Sequence, residues 1–204
     1  MDILETKMPD YGATQRYELV RDLGDCYTQL GDYEQAKQCY EQAATLAPDE
    51  AAPYLGTGVI ALQQGRLEDA ELAFRVALRL DRQSGRAWAG LAMIRQQTGA
   101  LQEAFDAYLK CLDLDSDNLT ALLGLFQVSC QMGSFGRVIE YLRVYLEMHP
   151  ADTAVMFCLA TLYVKERKPQ QAKRLLLDIL IFEPDNADAR NLLEEVEHQQ
   201  AQKR

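Results

Sequence analysis

Apolar residues recur along this chain at spacings of three, four and seven, in blocks that a glycine or proline interrupts. Such spacing gathers apolar side chains on one face of an amphipathic helix. The blocks come in pairs, and the pairs repeat. Gly31, Gly65, Gly99 and Gly133 fall at steps of 34 residues. Ala36, Ala70 and Ala104 keep the same step, and Ala172 returns in phase. Tyr40, Phe74 and Tyr108 fill another column, continued by Leu142 and Leu176. Pro48, Pro150 and Pro184 share a fourth. Agreement of several columns on one period predicts an array of helix pairs.

Taking Tyr17, Ala51, Gly85, Leu119 and Thr153 as first residues gives five units, 17–50, 51–84, 85–118, 119–152 and 153–186. An N-terminal extension, 1–16, precedes them, and 187–204 follows. In each unit the first helix carries large apolar residues at unit positions 4, 7 and often 11. The second begins after the glycine at position 15 and aligns positions 20, 24, 27 and 30. Glycine at 15 can take the left-handed conformation that ends a helix. The segments APDE, DSDN and EPDN end the second helix and cap the next. The trailing segment is predicted to be a helix that seals the array, with Leu192, Leu193 and Val196 against unit five. Ile3, Leu4 and Met8 allow either a partial turn on unit one or a loose tail.

These columns resemble the tetratricopeptide repeat. Unit one carries Val20, Leu23, Gly24, Tyr27, Ala36, Tyr40, Ala43 and Pro48 where that family's pattern asks for them. Unit two supplies Tyr54, Gly58, Ala70, Phe74 and Ala77. Unit three supplies Trp88, Leu91, Ala92, Ala104 and Tyr108. Unit five supplies Leu159, Ala160, Tyr163, Ala172 and Pro184. The resemblance spans residues 17–186. It implies an all-α fold, a right-handed superhelical α-solenoid of antiparallel helix pairs, with five units and a C-terminal capping helix.

Unit four departs from the pattern. Phe126, Val138 and Tyr145 stand where small residues belong, and Ser129 stands where a tyrosine belongs. A wider helix pair and a local change in curvature are expected there, or else a repacking that conserves volume. Unit five places Arg167 at the glycine position and Pro169 near the start of its second helix, where proline is tolerated.

In the resembled family the first helices line a concave face. Carried over by unit position, that face comprises Arg21 and Asp25, then Leu55, Gly56, Val59 and Leu62. Arg86, Gly90 and Met93 follow, then Leu123, Gly124 and Gln127, and finally Phe157. Its centre is apolar or small. Gly56, Gly90 and Gly124 share one unit position, and each costs about 1 kcal/mol against alanine inside a helix. Two accounts are open: the glycines lower the floor for a ligand, or they permit tight packing of neighbouring first helices. One subclass of the family grips acidic chaperone tails with basic and amide residues. Arg21 and Arg86 match its basic columns, but Asp25, Gly56 and Gly90 occupy the others, and Asp25 would repel a carboxylate.

Charge narrows the partner class. The chain has a net charge of −10, which disfavours nucleic acid and anionic lipid. Unit one alone has eight acids and two bases. A protein partner offering a peptide or amphipathic segment, with a basic stretch beside an apolar one, would suit both features. No apolar run is long enough for direct membrane insertion, and the first residues lack a signal peptide's basic and apolar regions. Cys26, Cys39, Cys111, Cys130 and Cys158 form no CxxC, which suits reduced thiols and a cytoplasmic location. His149 and His198 have no neighbour at ligand spacing, so no metal site is expected. No nucleotide or nucleophile motif occurs; GTG at 56–58 falls inside a helix. No cofactor and no catalysis are expected.

The resulting expectation is a non-enzymatic adaptor or co-chaperone that holds a partner segment in a partly apolar groove. The alternatives are a structural scaffold subunit that self-associates, and the targeting array of a larger enzyme.

Overall fold

The computed structural model describes residues 12–201, so Ile3, Leu4 and Met8 lie outside the described residues. The described residues form helices joined by short turns. They are α1 (Ala13–Leu30), α2 (Tyr33–Leu46), α3 (Ala52–Gln63), α4 (Leu67–Leu80), α5 (Gly85–Gln97) and α6 (Leu101–Leu114). Then follow α7 (Leu119–Met132), α8 (Gly136–Met148), α9 (Thr153–Lys165), α10 (Pro169–Phe182) and α11 (Ala187–Ala201). The chain divides into two compact units, Met1–Leu114 and Asp115–Arg204.

The first unit stacks three antiparallel helix pairs. α1 packs on α2, α3 on α4 and α5 on α6, and the first helices α1, α3 and α5 lie side by side. Gly31 ends α1 at φ 77°, and Gly65 and Gly99 do likewise at φ 72° and 78°. A side chain is strained in that conformation, which explains the glycine column. Ala36, Ala70 and Ala104 are fully buried, because only a small residue lets paired helices approach this closely. The rings of Tyr40 and Phe74 are buried between the pairs, and that of Tyr108 is buried as well. Arg95 ties α5 to its neighbours, reaching Glu71 of α4 at 2.5 Å and Glu103 of α6 at 2.9 Å. α1 begins at Ala13, four residues before Tyr17. Nothing between Gly12 and Tyr17 breaks a helix, so the helix runs back to that glycine.

The second unit comprises α7 to α11. α7 and α8 approach each other far less closely than α9 and α10 do, the wider pair that the unit-four departures predict. The cause is bulk in the wrong place. Val138 and Tyr145, both buried, stand on α8 where other units carry small residues. Ser129 on α7 is fully buried, yet too small to fill a tyrosine's place, and its hydroxyl has no hydrogen-bond partner. Arg167 takes φ 57° in place of the usual glycine, and Pro169 is the first residue of α10. Asn118, Asp152 and Asn186 each accept a backbone N–H three residues on, starting α7, α9 and α11. Val196 of α11 is buried, with Leu192 and Leu193 half-buried beside Leu176 and Ile179, as the sealing helix requires.

Candidate functional site: the first-helix face

The candidate residues fall on the first helices of both compact units. In the first unit the face is built on α1, α3 and α5, and buried aromatic rings from the second helices set its geometry. The ring of Tyr40 passes between Gly24 of α1 and Gly56 of α3. A Cβ on Gly56 would stand 2.2 Å from its Cζ, and one on Gly24 would stand 2.8 Å from its Cε1. The ring of Phe74 repeats this between Gly58 of α3 and Gly90 of α5, at 2.7 Å and 2.4 Å. Gly56 and Gly90 are therefore buried beneath rings of this chain itself. That decides the question left open for these two glycines: the rings occupy the space, and no ligand reaches the backbone there. Burying a large aromatic ring is worth about 1.5–3 kcal/mol, which exceeds the cost of about 1 kcal/mol for each helical glycine.

The Tyr40 hydroxyl emerges beyond the glycines among polar groups. It donates to Asp25 Oδ1 at 2.6 Å and lies 3.2 Å from Thr28 Oγ1. Burial, then the hydrogen bond to Asp25, pushes the Tyr40 phenol well above the usual tyrosine range, while the positive charge of Arg86 opposes this. Asp25 and Thr28 thus meet around one hydroxyl. Arg86 is exposed, whereas Arg21 bonds Asp22 at 2.7 Å and lies over the Tyr17 ring. In the third helix pair the Tyr108 hydroxyl donates to Gln96 at 2.7 Å, and burial raises this phenol to about 12.

Leu55 is a correction. It is buried at 9% exposure, in a cluster with Phe74, Ala77 and Ile94. Phe74 of α4 and Ile94 of α5 cover it, although Arg21, Leu123 and Phe157 hold the same unit position and stay accessible. Val59 and Leu62 are half-buried over the same cluster, and Met93 is half-buried on α5. These three, with Arg21, Asp25 and Arg86, remain as the accessible face of the first unit. In the second unit, Leu123 of α7 and Phe157 of α9 are half-buried, Gln127 is exposed and Gly124 is buried.

Position 12 of unit one, Thr28, belongs to the face columns in the sequence, but Tyr40 was missing from the sequence-based set. A signal for it exists within the chain. Unit position 12 is Thr28 or Gln96 where position 24 is Tyr40 or Tyr108, and Leu62 where position 24 is Phe74. The hydroxyl and its partner change together.

The remaining candidate chemistry is sparse. Among the described residues no group of three or more His, Cys, Asp or Glu could hold a metal ion. Cys39 and Cys111 are buried, and Cys130 and Cys158 are half-buried. Burial raises the Cys158 thiol to about 11, the opposite of what a reactive cysteine needs. His149 contacts Asp117 and stacks on Tyr145. Among the described residues no helix is long and apolar enough to cross a membrane.

Stacked antiparallel helix pairs, repeated at 34 residues and locked by small residues at fixed positions, define a tetratricopeptide-repeat protein. The chain belongs to the family described as the Cilia and flagella-associated protein 70 C-terminal domain, whose profile matches residues 9–190. Comparison by sequence with curated proteins gives no match. Similar solved structures include Pseudomonas aeruginosa pilF, with a TM-score of 0.69 and 22% identity over 89% of this chain and 90% of that one. YrrB, a TPR protein with an unusual peptide-binding site, gives 0.67 and 16% over 90% and 98%. The first TPR of Spaghetti (RPAP3), bound to an HSP90 peptide, gives 0.54 and 22% over 59% and 95%. At these identities the likeness is one of fold.

Proposed function

We propose that the chain is a non-enzymatic protein-interaction module, an adaptor, that holds a segment of a partner protein across the α1–α3–α5 face. One observation carries this reading: half-buried Val59, Leu62 and Met93 lie on first helices that also present Asp25 and the exposed Arg86. An apolar strip flanked by charge suits a peptide or amphipathic segment. Two of the similar structures, YrrB with its peptide-binding site and the Spaghetti TPR bound to an HSP90 peptide, support the class of ligand.

The acidity of unit one favours a partner with a basic stretch, attracted in a salt-dependent way. An acidic chaperone tail suits this face poorly, because Asp25 is held in place by the Tyr40 hydroxyl. A co-chaperone role would therefore use a different segment. Self-association is the second reading, favoured by Ile181 and Phe182 of α10, which are 75% and 55% exposed.

The test is selection from a random peptide display library, followed by titration of the selected peptide against the whole chain. Met93→Glu, with helicity retained by circular dichroism, is expected to weaken binding at least ~10-fold, since a charge would enter an apolar contact. Equal affinity for the variant would remove the face from consideration. Leu55→Glu is not a suitable probe, because it would report on folding.

A further inference from the structure

The second compact unit holds a cleft of about 410 Å³ over α9, between α8 and α10, and none of the candidate face residues lines it. Its volume lies within the ~300–1,000 Å³ typical of binding pockets. Leu146, Leu159, Tyr163 and Leu175 give it an apolar floor. Around that floor stand Arg143 and Glu147 of α8 and Arg174 and Asp178 of α10. On each helix the arginine precedes the acid by four residues, so both signs face the cleft about one turn apart. None of the four makes a hydrogen bond or ion pair with any described residue. The contrast with the first unit is direct. A cleft of about 320 Å³ there is lined by Lys37, Arg66 and Asp69, and all three have partners within the chain.

We infer that the α8–α10 cleft is a second docking site, for an amphipathic helix of a partner protein with an acidic and a basic side chain flanking an apolar one. The floor would take the apolar side chain. The arginines would take the acid, and Glu147 and Asp178 would take the base. Charge complementarity of both signs selects this occupant, because a uniformly charged segment would meet like charge at one end. In unit register Arg174 and Glu147 are seven positions apart, about 10 Å along a helix axis. An occupant with its acid and base seven residues apart and leucine between them matches that span.

The experiment uses the whole chain and fluorescein-labelled helical peptides, read by anisotropy. The three probes carry Glu–Leu–Lys, Glu–Leu–Glu or Lys–Leu–Lys at those positions. The mixed peptide is expected to bind at least ~10-fold more tightly than either uniform one. The double variant R143E/R174E, whose altered residues are exposed, is expected to shift the preference to Lys–Leu–Lys. Met93→Glu is expected to leave all three affinities unchanged, which separates this site from the first-helix face. Absence of binding at millimolar peptide, equal affinity for the three, or a preference unchanged in R143E/R174E would overturn the assignment. Dimerisation in sedimentation that Arg174→Glu abolishes would give the cleft to a second copy and overturn it equally.

Discussion

Glycines at two unit positions have a single job here, which is to make room for a ring. Gly24 and Gly58 take one side of Tyr40 and Phe74, and Gly56 and Gly90 take the other. Gly56→Ala and Gly90→Ala should each lose about 1–3 kcal/mol in chemical denaturation, because the new methyl would overlap a ring. Gly136→Ala, with no atom near its added Cβ, should stay within about 0.5 kcal/mol. Equal stability of all three variants would refute the packing role. Ser129 offers the opposite case. Its buried hydroxyl makes no hydrogen bond, so Ser129→Ala should raise the unfolding free energy, by about 1 kcal/mol in chemical denaturation. A loss of stability would mean that the hydroxyl is satisfied.

At the scale of the element, the helix pairs differ in how well they close. α1 with α2, α3 with α4, and α5 with α6 close on alanine and glycine. α7 with α8 cannot, because Val138 and Tyr145 hold the helices apart. Backbone amides of α8 (Gly136–Met148) should therefore exchange with deuterium faster than those of α6 (Leu101–Leu114). Equal protection would show that the wider pair costs α8 no local stability. The departures that mark unit four were legible in the sequence, since each is a large residue in a small-residue column. The Arg95 clamp on Glu71 and Glu103 was not. It joins three helices, and no periodicity of one helix encodes it. The Arg95 guanidinium, chiefly through its hydrogen bond, holds the Glu71 carboxyl below the usual range.

For the whole molecule, two buried phenols set an alkaline limit. Folding raises both Tyr40 and Tyr108, chiefly by desolvation, the latter to about 12. A raised phenol keeps its proton in the folded state while the unfolded chain loses it near pH 10. Stability should therefore be full below about pH 10 and fall as pH rises through about 12. Tyr108→Phe should flatten that fall in melts taken across the range, and an unchanged slope would contradict the burial argument. The sequence by itself determined the period, the helix pairs, the positive-φ glycines and the sealing helix, because these depend on spacing and on residue size. It also supplied the family. Only the tertiary structure decided which candidate residues face outward. Leu55 and Gly56 share the face's unit positions with Val59 and Leu62, yet the ring beneath them and the neighbouring helix bury them. Likewise, the charged cleft over α9 draws on α8, α9 and α10 together. Burial and cavities arise between helices, and a pattern read along one helix cannot contain them.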